Sequence, residues 1–141
     1  MPFGTWEVLR QGRDGVAILA VGTMVRTALA AAETLAAEGL DVTVVNARFM
    51  KPFDEVALTA LFSSHRLFLV VEEGTSVNGF GAYMAAEIAR RDPVARVHAH
   101  GVPDRIIYAA PRARQLAECG LDAAGIAARV RSLHRSEALA G

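Results

Sequence analysis

The sequence predicts an α/β domain: a three-layer sandwich whose mostly parallel sheet of about five strands has one antiparallel edge strand. Two short runs, VAILAV at 16–21 and LFLVV at 67–71, are apolar throughout, as expected of interior strands that helices cover on both faces. Between these runs and other runs rich in β-branched residues lie segments whose apolar residues recur at helical spacing. Strands that alternate with helices in this way are typical of right-handed crossovers and a parallel sheet.

The first strand is predicted at residues 5–9, where apolar and polar residues alternate weakly. The turn GRDG at 12–15 predicts a hairpin that folds this strand antiparallel onto residues 16–21. Thr23 follows the second strand, and its hydroxyl is well placed to cap the next helix. That helix has apolar residues at helical spacing and ends at Gly39, a residue that readily adopts the left-handed conformation of a helix stop.

The pattern of one strand and one helix then repeats to the end of the chain. The remaining elements, in chain order, are a strand at 41–47, a short helix capped by Asp54, a strand at 66–72, a helix opened at Gly79 and ended before Pro93, a strand at 95–100, and two closing helices that begin at Pro111 and at Asp122. We therefore expect one domain over residues 1–141, with residues 1–4 as a linker remnant and residues 135–141 as a flexible tail.

The composition excludes several classes of function. Fifteen Lys and Arg balance fifteen Asp and Glu, so no net field attracts the chain to nucleic acid or to an anionic membrane. The charge-free stretch at 15–25 is far shorter than the roughly 18 apolar residues of a membrane span, and no signal peptide opens the sequence. Cys119 is the single cysteine, which excludes an internal disulfide and a thiolate zinc site. We expect a cytoplasmic protein without nucleic-acid or membrane partners.

Charged side chains gather where the predicted parallel strands end. Arg48 and Lys51 follow the third strand, Glu72 and Glu73 end the fourth, and Asp104 follows the fifth. In open α/β sheets this carboxyl edge is where ligands bind. The two cations either lie in solvent and pair with the carboxylates of the same edge, or they face a partner.

Other motifs predict no chemistry. Gly22-Thr23 and NGFG at 78–81 each precede a helix, as phosphate-binding loops do, yet the sequence has neither GxGxxG nor GxxxxGKS/T. The four histidines do not form a ligand set, although His98 and His100 share one face of a strand. Cys119 has no base beside it in sequence. We predict no catalytic, cofactor-binding or metal-binding residue in this chain.

Three stretches point to a family: VVNARFMKPFD at 44–54, VVEEGTSVNGFGA at 70–82 and GVPDRIIYAAPRARQLAECGLDAAGI at 101–126. In order and spacing they resemble the carboxyl-terminal, third domain of 1-deoxy-D-xylulose-5-phosphate synthase, a transketolase-like thiamine diphosphate enzyme. NARFMKP and GVPD are the most diagnostic parts, and the resemblance runs from about residue 4 to residue 133. It implies a five-stranded sheet with one antiparallel strand, in agreement with the pattern above.

The resemblance also implies what this chain lacks. In the family, thiamine diphosphate and Mg²⁺ bind between two preceding domains, one with a GDG motif followed by asparagines and one with the glutamate that activates the cofactor. This sequence has no such motif, so we expect the chain to bind neither cofactor and to be inactive alone. We expect it to be a fragment or a separately encoded domain of a transferase that condenses pyruvate with glyceraldehyde 3-phosphate for isoprenoid precursor, thiamine and pyridoxal biosynthesis. Ala109 and Ala110 stand where family members often have histidine and glycine.

By the same resemblance, the domain packs on the preceding domains of its enzyme and helps to build a homodimer. We predict that five residues of the carboxyl edge lie at or near these contacts: Arg48, Lys51, Glu73, Asn78 and Asp104. Two alternatives remain, the third domain of a transketolase or of a 2-oxo acid dehydrogenase beta subunit, and a stand-alone effector-binding module built on a flavodoxin-like sheet. NARFMKP favours the synthase over both.

Overall fold

The computed structural model describes residues 2–140. Met1 and Gly141, which belong to the predicted linker remnant and the predicted tail, lie outside the described residues. The strands are β1 Glu7–Arg10, β2 Val16–Ala20, β3 Thr43–Asn46, β4 Leu67–Thr75 and β5 Arg96–Val102. The helices are α1 Met24–Ala37, α2 Glu55–Phe62, α3 Phe80–Arg91, α4 Arg112–Glu118 and α5 Ala123–Ala140.

The five strands form one sheet in the order β1-β3-β2-β4-β5. β2 pairs in parallel with both β3 and β4, and β4 pairs in parallel with β5. β1 is antiparallel to β3 and lies at the edge. The predicted three-layer sandwich with one antiparallel edge strand is confirmed. The parallel strands therefore all end at the same edge, which we call the carboxyl edge.

The predicted hairpin between the first two strands is wrong. β1 pairs with β3, with Glu7 opposite Asn46, because β3 and β4 already occupy both sides of β2. The turn that suggested a hairpin instead binds the start of β3: the backbone N–H groups of Arg13 and Asp14 donate to the Asp41 carbonyl at 3.1 and 3.0 Å. Gly12 lies so close to this chain that an added Cβ would be 2.3 Å from the Val42 carbonyl carbon. Sequence periodicity identifies a strand without identifying its neighbour.

The sheet has a separate apolar core on each face. One core packs α1 and α5, whose Ile126 and Val130 are buried, against alternate strand positions such as Ile18, Val44 and Leu69. The other packs α2 and α3, whose Met84 and Ile88 are buried, against the intervening strand positions, such as Leu19, Val45 and Phe68. Because both faces are covered, the interior strands β2 and β3 are buried along nearly their whole length.

Of the residues predicted to begin or end helices, Asp54 and Gly39 take the expected roles and Thr23 does not. Asp54 caps α2, since its carboxylate accepts from the Ala57 N–H at 2.9 Å, and Gly39 has a φ of 90° after the end of α1. Thr23 does not cap α1 with its side chain, because its own backbone is helical. Its hydroxyl instead donates to the carboxylate of Glu73.

The last helix extends further than the sequence indicates. Residues 135–140, for which the sequence predicts a flexible tail, continue α5 as helix. Leu133 is buried just before this turn, and Glu137 lies 3.7 Å from Arg96 of β5. Among the helices of residues 2–140, none has the length and apolar character needed to cross a membrane.

Candidate functional site

Two loops of the carboxyl edge enclose an open groove of about 520 Å³. The loop after β3 contributes residues 48–51, and the segment that leads from β4 into α3 contributes Asn78, Gly79 and Phe80, with Tyr83 one turn further along. The structure thus brings together three of the five predicted interface residues, Arg48, Lys51 and Asn78. They meet because both loops leave parallel strands at the same edge.

The two cations of this groove differ in their partners. The Arg48 guanidinium donates to the Glu7 carboxylate of β1 at 2.5 Å, so it pairs with none of the three carboxylates that the sequence placed at its edge. The Lys51 ammonium lies 4.9 Å from the centre of the Tyr83 ring, at cation–π distance. Within the described residues no carboxylate lies within 4.0 Å of it.

A buried carboxylate fixes the wall of the groove. Glu72, in β4, is only 8% exposed, and its carboxylate accepts from the backbone N–H groups of Phe80 at 3.3 Å and Gly81 at 2.6 Å. These are free amides of the first turn of α3, where a negative charge is favoured. The carboxylate fits there because Gly74 and Gly79 have no side chains: an added Cβ would lie 2.6 and 2.5 Å from it. This role of Glu72 was not predicted from the sequence.

Glu73 lies on the other face of the sheet, because consecutive residues of a strand point to opposite sides. Its carboxylate accepts from the Thr23 hydroxyl and pairs with Arg112 of α4. It borders a second cavity of about 250 Å³, together with Val102 and Cys119. Glu73 therefore shares the carboxyl edge with Arg48 and Lys51 but not their groove.

Asp104 lies in the exposed turn after β5, outside both cavities. Large apolar side chains are also exposed beyond the strand ends: Met50, Val77, Ile106 and Tyr108. Ile106 and Tyr108 are about three quarters exposed, at 77% and 76%. Exposed apolar side chains that collect on one edge mark a surface suited to another protein surface.

Two of the four histidines, His65 and His100, make internal hydrogen bonds. His65 is buried: its Nδ1–H donates to the Leu61 carbonyl at 3.0 Å, and its Nε2 accepts from the Thr43 hydroxyl at 2.8 Å. Burial lowers the pKa of His65. On β5, burial also lowers the pKa of His98 and His100, and the His100 Nε2–H donates to the Gly120 carbonyl at 2.7 Å.

The arrangement offers contact surfaces, and no catalytic constellation is visible in residues 2–140. No group of three or more His, Cys, Asp or Glu side chains in this range could hold a metal ion. The Glu72 carboxylate already accepts from the amides of α3, and the Glu7 carboxylate pairs with Arg48. The fold thus defines an α/β domain of the three-layer class, whose carboxyl edge exposes both polar and apolar side chains.

Comparison with known proteins agrees with this class. The model of the family "Transketolase, C-terminal domain" matches residues 4–126. The chain therefore belongs to the transketolase C-terminal domain family.

Curated relatives include 1-deoxy-D-xylulose-5-phosphate synthases. The protein of that name from Synechococcus sp. (strain JA-2-3B'a(2-13)) is 43% identical over 141 residues, which is 100% of this chain and 22% of the relative. The protein of the same name from Aquifex aeolicus (strain VF5) is 47% identical over 128 residues, 91% of this chain and 20% of the relative. The chain spans about a fifth of the length of these relatives.

Solved structures give the same fold. A structure described as a split gene transketolase, inactive beta4 tetramer, has a TM-score of 0.84 and 30% sequence identity, covering 94% of this chain and 43% of the other. A transketolase variant from Pichia stipitis has a TM-score of 0.68 at 18% identity, covering 94% of this chain and 18% of the other. At that identity the second likeness indicates the fold alone.

Proposed function

We propose that this chain forms, as one domain over residues 1–141, the carboxyl-terminal part of a cytoplasmic 1-deoxy-D-xylulose-5-phosphate synthase. That enzyme condenses pyruvate and glyceraldehyde 3-phosphate, in a thiamine diphosphate-dependent reaction, for isoprenoid precursor biosynthesis. The observation that carries the proposal is the identity of 43% over the whole chain to a synthase of which the chain spans only 22%. The split gene transketolase, at 30% identity, supports the second candidate, a transketolase domain, more weakly.

The described residues do not fit thiamine diphosphate with Mg²⁺. A diphosphate-bound Mg²⁺ needs oxygen ligands such as carboxylates, and within residues 2–140 no cluster of three acidic, histidine or cysteine side chains exists to supply them. The groove contributes cations and apolar side chains instead. We infer that the cofactor binds to other domains of the enzyme and that this chain is inactive alone.

The role that remains is assembly. We propose that Arg48, Lys51, Glu73, Asn78 and Asp104 lie at or near contacts with the preceding domains and with the second subunit of a homodimer. The support is physical: all five occupy the carboxyl edge, and polar groups around exposed apolar side chains are the usual composition of an interface. None of the five is expected to touch the reacting atoms.

Expression of the whole coding region and of the 141-residue chain separately tests the enzymatic part of the proposal. The long polypeptide with thiamine diphosphate and Mg²⁺ should consume pyruvate only when glyceraldehyde 3-phosphate is present, and the short chain should show no turnover. Turnover by the short chain, or a long polypeptide that uses a ketose donor instead of pyruvate, would reject it.

The assembly part is tested in the long polypeptide by the double variant Arg48→Ala/Lys51→Ala. We expect its subunit dissociation constant in sedimentation experiments to rise at least about tenfold, equivalent to about 1.4 kcal/mol, where the two residues face the second subunit, or its activity to fall where they face the preceding domains. Arg135→Ala is the matched control, because Arg135 lies beside Asp14 and Gly39, at the opposite edge of the sheet. A double variant that remains as dimeric and as active as the control would contradict the assignment.

A further inference from the structure

The groove between residues 48–51 and α3 is lined by cationic and apolar side chains. Within the described part of the chain, none of the side chains that line it carries a carboxylate. Its walls are mostly apolar and aromatic, with Phe49, Met50, Phe80 and Tyr83, and Met50 is 47% exposed. Since Glu7 already neutralises Arg48, the positive charge that remains at the groove is that of Lys51.

Lys51 is unusual in the chain as a whole. It is the single lysine of the sequence, and all the other basic residues counted among its fifteen Lys and Arg are arginines. Most arginines of residues 2–140 reach a carboxylate, as Arg10 reaches Asp41 at 2.7 Å, but the Lys51 ammonium is held over the Tyr83 ring. A compact ammonium with three donors can turn to a carboxylate that enters the groove, whereas its present aromatic contact satisfies none of these donors by a strong hydrogen bond.

The amino-terminal end of the chain is fastened to the rim of this same groove. The Phe3 ring packs edge-on against the Phe49 ring, with centroids 5.0 Å apart. The Trp6 indole N–H donates to the Phe49 carbonyl at 2.9 Å, and the Trp6 backbone N–H donates to the Asp54 carboxylate at 2.8 Å. A polypeptide that continues upstream of Pro2 therefore starts beside the groove, and a short tether of this kind gives an effective concentration on the order of millimolar.

We propose that the groove receives a segment of the preceding polypeptide of the same chain, in which a carboxylate flanked by apolar side chains pairs with the Lys51 ammonium. This inference rests on the proposed function, because the synthase relatives, of which this chain spans 22%, supply the preceding polypeptide. The apolar flanks cover Met50 and the aromatic walls, and by excluding water they strengthen the ion pair. Glu72 keeps the amides of α3 occupied, so recognition of the carboxylate falls to Lys51.

The test uses the whole polypeptide and a water-soluble carbodiimide. The reagent activates a carboxylate, an amine in contact with it displaces the resulting urea, and a new amide joins the two side chains. Because the bond between Lys51 and Pro52 resists trypsin, the tryptic peptide 49–66 contains the only lysine of this domain. We expect this peptide to be joined to an upstream peptide that contains Asp or Glu, and the join to be absent in Lys51→Arg, which keeps the charge but lacks the nucleophilic amine.

A mixture of ¹⁵N-labelled and unlabelled polypeptide distinguishes the possible occupants. Joined peptides of uniform isotope composition support the proposal. Joined peptides of mixed composition would place a second copy in the groove and overturn it, as would a join confined to residues 2–140 or no join at all. Failure of the proposed function appears separately, as absence of pyruvate and glyceraldehyde 3-phosphate condensation, and leaves the cross-linking result unaffected.

Discussion

Replacement of Glu72 by glutamine should weaken the start of α3 while leaving the shape of the side chain almost unchanged. The glutamine amide retains one oxygen that can accept from either Phe80 or Gly81, but its NH₂ group then faces the other backbone N–H. One of two hydrogen bonds, at 3.3 and 2.6 Å, is replaced by two opposed donors. The negative charge at the amino terminus of the helix is lost as well.

The magnitude follows from these two losses. A hydrogen bond to a charged group contributes about 1.5–3 kcal/mol, and a charge at a helix end contributes about 0.3–1 kcal/mol, more where it is partly buried. Part of this loss of stability is offset, because the cost of removing the charged carboxylate from water no longer opposes folding. We expect the free energy of unfolding of Glu72→Gln to fall by about 2 kcal/mol, a large fraction of the roughly 5–15 kcal/mol of a typical domain.

Urea unfolding measures this loss, and Glu73→Gln is the matched control. Glu73 is the neighbouring residue, its side chain is 34% exposed, and its ion pair with Arg112 should contribute at most about 1 kcal/mol. Amide hydrogen exchange at Phe80 and Gly81 should be faster in Glu72→Gln and unchanged in Glu73→Gln. If Glu72→Gln unfolds within about 0.5 kcal/mol of the wild type at equal m value, the reasoning about the buried carboxylate is refuted.

Two further perturbations probe the same sheet. In Asp54→Ala, α2 loses its cap and the Trp6 N–H loses its acceptor, so urea unfolding should show a loss of about 2–4 kcal/mol; recovery of none of this loss by Asp54→Asn would contradict the capping role. Burial lowers the pKa of His65 in the folded state. The stability that neutral His65 contributes to the domain is therefore fully present above the unfolded pKa near 6.5 and is lost as pH falls toward the folded pKa. The loss occurs because protonation of Nε2 removes the acceptor of the Thr43 hydroxyl. Unfolding measured from pH 7.5 to 5 should therefore show a decrease below about pH 6.5, by up to about 1.4 kcal/mol per pH unit, and His65→Gln should reduce that slope; an equal slope in both proteins would show that other groups cause it.

The architecture could be predicted from sequence because the runs at 16–21 and 67–71 are apolar on both faces, and only a sheet covered by two helical layers buries such strands. Turn residues and caps gave the helix ends, as Asp54 and Gly39 illustrate. The partner of β1 could not be predicted, because alternation reveals which face of a strand is buried and not which strand lies beside it. The contact of Gly12 with Val42, which directs the chain past β2, depends on residues far apart in sequence.

The candidate site, too, was predicted only in part from the sequence. Arg48, Lys51 and Asn78 could be placed together because each follows the end of a parallel strand. The role of Glu72 was missed in favour of Glu73, although the two consecutive residues must point to opposite faces of β4. The signal lay in Gly74 and Gly79, which leave room for the Glu72 carboxylate. The link from Thr43 to His65 crosses between elements, and no pattern within either element indicates it.

The position of β1 determines how the domain responds to force. The strand is an edge element, held laterally by β3 alone over four residues, and it is the first strand that tension applied through an upstream polypeptide would reach. Pulling from that end would withdraw Trp6 and then β1 while the rest of both cores stays buried, because Trp6 is the one residue of this segment that belongs to a core of the described residues. A short segment at the amino-terminal end can thus extend under tension while the parallel strands and the helices stay folded.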